Sequence, residues 1–251
     1  MFRIIAFCVL LAGCTASPAI PRIVNGTFAQ PGEIPYIVSL SFYGTHSCGG
    51  SILDSTHILT AAHCIESRPP SVFTIEYGDL RLISASQHII RVKEIYMHPG
   101  YDPSKNHIND VAVLTLNSEI PFDENAQPVT LPEQSSSTPG NQNAVLAGWG
   151  LTSSHSVYTE SLMRVDIICY SDDDCEAAHH GNTNRQYHIC AGVPEGGKGQ
   201  CSGDSGGPLT VDGVQIGVVS WSVKPCAIKG YPGVFARVAN YVDWIKQQMN
   251  H

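Results

Sequence analysis

The 251 residues predict an all-β fold closed by one C-terminal α-helix, on three observations. Segments such as IPYIVSLSF, SVFTIEYG, NAVLAGWG and VQIGVVSW alternate apolar and polar residues and are broken by Gly, Pro, Asn or Ser, the pattern of half-buried strands. The 23 glycines and 16 prolines are spread without a period, as many turns between short strands require. Long helical patterns are absent from the interior, which excludes a parallel sheet with crossover helices.

The helix is read in RVANYVDWIKQQMN, where Val238, Tyr241, Val242, Ile245 and Met249 recur at spacings of three and four. The stretch PFDENAQPVTLPEQSSSTPGNQ is polar and Pro-rich, and reads as a surface connection between two β halves, about 23–128 and about 129–251. With 43% hydrophobic and 14% charged residues, the chain can bury a core and lacks the charge excess of disorder.

MFRIIAFCVLLAGCTASPA carries one Arg, a short apolar run and small residues suited to cleavage near Ala16 or Ala19. This pattern predicts a secretory signal, residues 1–16, followed by a propeptide, 17–22. The run falls short of the roughly 20 apolar residues that span a bilayer, so a secreted, extracellular product is expected and a membrane is not an expected partner. Loss of residues 1–22 removes two basic residues, Arg3 and Arg22, and no acid, leaving a net charge near −10. Nucleic acid, which is bound through clustered Lys and Arg, is excluded as a partner.

Seven cysteines remain beyond the signal, which in an oxidising compartment suggests three bridges and one leftover thiol. With no CxxC pair and no ligand spacing among the histidines, neither a metal site nor a cofactor is expected.

Three motifs follow in order: LTAAHC with His63, NDVAVLTL with Asp110, and GDSGGPL with Ser205. With these the chain resembles the chymotrypsin-like (trypsin-fold) serine proteases, from Ile23 to the C-terminal helix. The resemblance implies two six-stranded antiparallel β-barrels and a serine endopeptidase that forms an acyl-enzyme. His63 is the implied base that takes the Ser205 proton, and Asp110 holds the imidazole in one tautomer. The backbone N–H groups of Gly203 and Ser205 are the implied oxyanion donors, each worth about 3 kcal/mol of barrier lowering.

PRIVNG resembles the family's activation junction. Cleavage after Arg22 would free an ammonium at Ile23, which in the family pairs with the acid before the nucleophile, here Asp204. The resemblance also pairs Cys48 with Cys64, Cys175 with Cys190, and Cys201 with Cys226. Cys169 is left unpaired at a position where the family places a buried aliphatic residue. Asn25-Gly26-Thr27 is a glycosylation sequon, which makes Asn25 a candidate acceptor.

Where trypsins place Asp at the floor of the specificity pocket, this chain has Gly199, and Gln200 and Gly233 are neutral too. A Lys or Arg side chain would enter with its charge unpaired. The implied walls are Ser220, Trp221, Ser222 and Gly233, small enough for Phe, Tyr, Leu or Met. Gln200 departs from the family pattern and keeps an elastase-like or collagenolytic preference open. An enzyme that does not cut after Arg needs a separate trypsin-like activating protease. Protein substrates and serine protease inhibitors are the other expected partners, and a monomer is expected. Asp79 has no matching glutamates in GDLRLISASQH, so the family's calcium loop is not expected. The reading from another class is a non-catalytic homologue that acts as a binding protein, although such chains usually lose a member of the triad and all three residues stand here.

Overall fold

The computed structural model describes residue 24 and residues 26–82, 86–138, 140–151 and 159–250. The signal and propeptide expected over 1–22, with Arg22, and the expected roles of Ile23 and Asn25 lie outside the described residues.

After a short strand β1 (Thr27–Phe28), six strands close the first barrel: β2 (Ile37–Phe42), β3 (Thr45–Ile52), β4 (His57–Thr60), β5 (Phe73–Tyr77), β6 (Ile89–Met97) and β7 (Ala112–Leu116). Their order around the barrel is β2-β3-β4-β7-β6-β5. Alternation decides which side chains fill it. In β5, Phe73, Ile75 and Tyr77 point into the core with Val38 and Leu40 of β2. Ile37, on the opposite face of β2, packs instead with Trp149 and Ala147 in a cluster between the barrels.

The second barrel is built from β8 (Asn143–Gly148), β9 (Met163–Cys169), β10 (His188–Gly192), β11 (Pro208–Val211), β12 (Val214–Trp221) and β13 (Gly233–Arg237). It runs β8-β9-β10-β13-β12-β11 and closes through β11 on β8, with β1 added at β9. The core-facing residues of β9 are Met163, Val165, Ile167 and Cys169, at strict period two. Cys169 is thus a core residue, 1% exposed, and burial pushes its thiol pKa up to about 11. The other six described cysteines form the three expected bridges, with Cα–Cα separations of 6.3 Å for Cys48–Cys64, 5.5 Å for Cys175–Cys190 and 5.3 Å for Cys201–Cys226.

Two helical details differ from expectation. The C-terminal pattern does not form one helix: a 3-10 turn over Val238–Asn240 is followed by α3 (Val242–Gln248). Tyr241 sits between them at φ −120°, outside helical geometry, and its ring is buried against the first barrel with Val242 and Ile245. The interior also holds a short helix, α2 (Asp172–Ala178), which has no apolar stripe to announce it. Ser171 caps it by accepting from Asp174 N at 3.1 Å, and three aspartates in its first turn suit the positive end of the helix dipole. Among the described residues, no helix is long and apolar enough to cross a membrane.

The barrels meet through backbone. Gly49 N of β3 donates to Ser205 O at 2.7 Å. Gly206 has φ +79°, and a Cβ there would lie 2.3 Å from Thr60 Oγ1 and 2.6 Å from Gly49 O, so the turn that follows Ser205 can press against β3 and β4 only as glycine.

Candidate active site

The contact between the barrels brings the three motif residues to one place. His63 lies on the short helix α1 (Ala62–Ile65), directly after β4, and Asp110 stands two residues before β7. Ser205 sits in the turn that leads into β11, and that turn packs on Thr60 and Ala61, just ahead of His63.

Asp110 is fully buried and accepts from three donors. His63 N donates to Oδ1 at 2.9 Å, while His63 Nδ1 and Ser220 Oγ donate to Oδ2 at 2.8 and 2.5 Å. Burial by itself would raise the Asp110 pKa, but the bonds and charge of His63, with the Ser220 hydroxyl, bring it below the ordinary value. For His63, burial pulls the pKa down, and the hydrogen bond and charge of Asp110 outweigh it, so the net shift is upward. With Nδ1 committed to Asp110, the Nε2 edge is left to act. No hydrogen bond joins it to Ser205 Oγ in the resting geometry, and such bonds commonly tighten only as substrate enters.

Asp204 is buried between two glycines. Its carboxylate accepts from Gly150 N and Cys201 N, both at 2.9 Å, and a Cβ at Gly148 or Gly150 would fall within 2.5 Å of it. Burial raises its pKa to about 6, against the backbone bonds and the charge of Lys224, and among the described residues no cation forms an ion pair with it. The adjacent carbonyl of Gly203 accepts from His46 Nε2 at 3.0 Å. Val24, the first described residue, forms an antiparallel bridge with Gly199.

A cavity beside the turn is lined by Gly199, Gln200, Ser222 and Gly233 of the expected pocket, and by Lys198, Ala227, Ile228 and Tyr231 among others. Its lining holds no carboxylate. Gln200 is 4% exposed, and its Nε2 donates to Trp221 O at 2.7 Å and to Val234 O at 3.5 Å. These two carbonyls fix the amide orientation and leave Gln200 Oε1 buried without a described partner, against the space beside Gly233. Trp221 also packs edge-on to His179, with ring centroids 5.0 Å apart. Ser220, expected as a pocket wall, donates its hydroxyl to Asp110.

The family described as Trypsin matches residues 23–245. The chain belongs to the trypsin family. Curated relatives include Trypsin 5G1 of Aedes aegypti, 40% identical over 232 residues that cover 90% of this chain and 84% of that protein. Trypsin II-P29 of Gallus gallus is 37% identical over 229 residues (90% and 88% of the two chains), and Trypsin-1 of Astacus astacus is 38% identical over 237 residues (89% and 98%). This trypsin-family chain is a serine endopeptidase.

Four residues around the trypsin-family site were not anticipated from sequence: His46, the Gly148–Gly150 pair around Asp204, and His107, whose ring meets His63 edge-on with centroids 5.8 Å apart. The pattern GWG in NAVLAGWG was a visible signal for the glycine pair. Nothing local marks the two histidines, because their partners lie on other elements.

Proposed function

We propose that this chain is a secreted serine endopeptidase, activated by cleavage after Arg22, that cuts after large apolar residues. The reading of the chemistry rests on the buried Asp110 that holds His63 Nδ1 beside the Ser205 turn. Ser205 Oγ attacks the substrate carbonyl while His63 Nε2 takes its proton, and Asp110 stabilises the imidazolium that results. His63 then returns the proton to the leaving amine, and water attacks the acyl-enzyme by the same route. The N–H groups of Gly203 and Ser205 hold the oxyanion.

The apolar preference rests on a pocket lined by Gly199, where the family resemblance puts the floor, with no carboxylate in its lining. The matched relatives are called trypsins, but an Arg or Lys side chain entering this cavity would find Lys198 and no counter-ion. Activation is supported by the buried carboxylate of Asp204, which holds no ion pair among the described residues, and by the bridge from Val24 to Gly199, five residues before Asp204. An Ile23 ammonium would relieve the cost of burying the charge. The apolar leader and three disulfides support secretion, and Asn25 remains a candidate glycosylation acceptor.

Anilide substrates with Phe, Leu, Ala or Arg, compared on enzyme cleaved after Arg22, test the preference. Phe and Leu should be cut far faster than Arg; fastest cleavage of the Arg substrate would overturn it.

A further inference from the structure

A lysine stands at the mouth of the pocket. Lys224 lies just beyond Ser222, which lines the cavity, on the loop that leaves β12, and its Nζ donates to Ser202 Oγ at 3.2 Å. Ser202 directly precedes Gly203, so the ammonium joins the two loops between which a substrate side chain would enter. Its other close neighbour is the Cys226 sulfur, at 3.1 Å, which is bound in the disulfide to Cys201.

Both of these partners are neutral. Burial lowers the Lys224 pKa, against the charge of Asp204, but Asp204 is fully buried beneath the turn and is the proposed partner of the Ile23 ammonium. The loops 196–203 and 220–233, on the two sides of the cavity, hold Lys198, Lys224 and Lys229, all exposed. They contain no Asp or Glu other than that buried acid's neighbourhood allows, in a chain whose formal net charge is −8. A concentrated positive rim on an acidic protein draws carboxylates to the cleft.

The place of such a carboxylate on a substrate follows from strand geometry. Successive side chains of an extended peptide point to opposite faces, so the residue two before the one in the pocket faces the same side as the pocket. The pocket takes the residue on the acyl side of the broken bond, so that earlier residue lies over the second-barrel loops where Lys224 stands. We propose that Lys224 selects peptides with an acidic side chain two residues before the one that enters the pocket. This rests on the reading of the cavity as the substrate pocket beside the Ser205 turn. A carboxylate would give the ammonium a charged acceptor in place of neutral ones, and a substrate lysine there would meet a like charge.

Peptide anilides test this on enzyme cleaved after Arg22. They share the best pocket residue of the Phe, Leu, Ala and Arg panel, with Ala before it, and carry Glu, Gln or Lys before that Ala. The kcat/KM for Glu should exceed that for Gln about threefold to fivefold, the scale of one exposed ion pair, and Lys should fall below Gln. The Glu-to-Gln ratio should drop to about one in Lys224→Gln, persist in Lys224→Arg, invert in Lys224→Glu, and shrink as salt is raised. Each ratio is taken within one protein, so a loss of turn geometry, which lowers all substrates together, cancels. A ratio near one in the wild-type chain, or a ratio unchanged in both Lys224→Gln and Lys224→Glu, would overturn the proposal. So would an equal dependence on Lys224 when Glu replaces the Ala, on the opposite face of the peptide. Failure to cleave any anilide would overturn the reading of the site itself, and the proposal with it.

Discussion

His46 Nε2 donates a 3.0 Å hydrogen bond to the carbonyl oxygen of Gly203, which ties β3 of the first barrel to the nucleophile turn of the second. Its other nitrogen, Nδ1, pairs with Ser39 Oγ at 2.8 Å. Burial lowers the His46 pKa to about 4, against the opposing effect of the Gly203 bond, so the ring is neutral at pH 7. The orientation of the Gly203 carbonyl fixes the backbone around the proposed oxyanion donors, so the two barrels are coupled at the point where charge would develop.

Replacing His46 with Phe should leave that carbonyl without its donor and loosen the turn. A lost hydrogen bond to a buried partner costs about 1–3 kcal/mol. The expected result is a fall of about tenfold to a hundredfold in kcat on a Leu anilide, with smaller change in KM. Unaltered kcat would show that the turn does not depend on the His46 bond.

Acid should destabilise the fold through its buried neutral histidines. His46 and His188 both have pKa values lowered to about 4, chiefly by burial. A histidine with a depressed folded pKa contributes stability that is complete above the unfolded value near 6.5 and is lost as pH falls towards 4. In the uncleaved chain, where no Ile23 ammonium meets it, Asp204, raised to about 6 by burial, acts in the opposite direction over much of the same window and offsets about one of the two. The net loss from pH 7 to pH 4 should be on the order of 3 kcal/mol, measurable by urea denaturation. His188→Gln should flatten the curve, and an unchanged slope would place the acid sensitivity elsewhere.

The acid limb of kcat/KM should lie above the ordinary histidine value, because Asp110 holds the His63 pKa up. Asp110→Asn should reduce kcat by about 10⁴, since the imidazole loses its tautomer lock, and should move the limb to lower pH. Ser220→Ala removes one of the three donors to Asp110 and should have a smaller effect in both respects. A pH profile measured on each variant checks the order.

Gln200 lies across the pocket towards Gly233, where a Cβ would come within 2.8 Å of its amide carbon. Gln200→Ser should open the pocket and raise the Phe-to-Leu ratio of kcat/KM by about tenfold, as one or two methylene groups in a pocket commonly do. A constant ratio would mean that Gln200 does not limit side-chain size.

Much of this was legible in the chain. Period-two alternation marked strands such as β5 and β8, and the three motifs named residues that the fold brings together. The cysteine pairs, implied by the family resemblance, are those of the structure. What was not legible depends on contacts between elements. His46 and His107 are ordinary residues until the second barrel supplies Gly203 and the loop after β6 turns back to His63. The family resemblance names Ser220 as a pocket wall, and the bond of its hydroxyl to Asp110 is visible only in the fold. The helix α2 escaped notice because a cap, a dipole and a disulfide hold it rather than an apolar face.

The most direct measurement is labelling with a serine-directed phosphonyl fluoride, followed by peptide mapping of the intact protein after cleavage at Arg22. The predicted result is a single adduct on Ser205, lost in His63→Ala. A folded, cleaved protein that takes up no label at Ser205 would contradict the assignment of nucleophile and base, and would favour a binding protein on a protease scaffold.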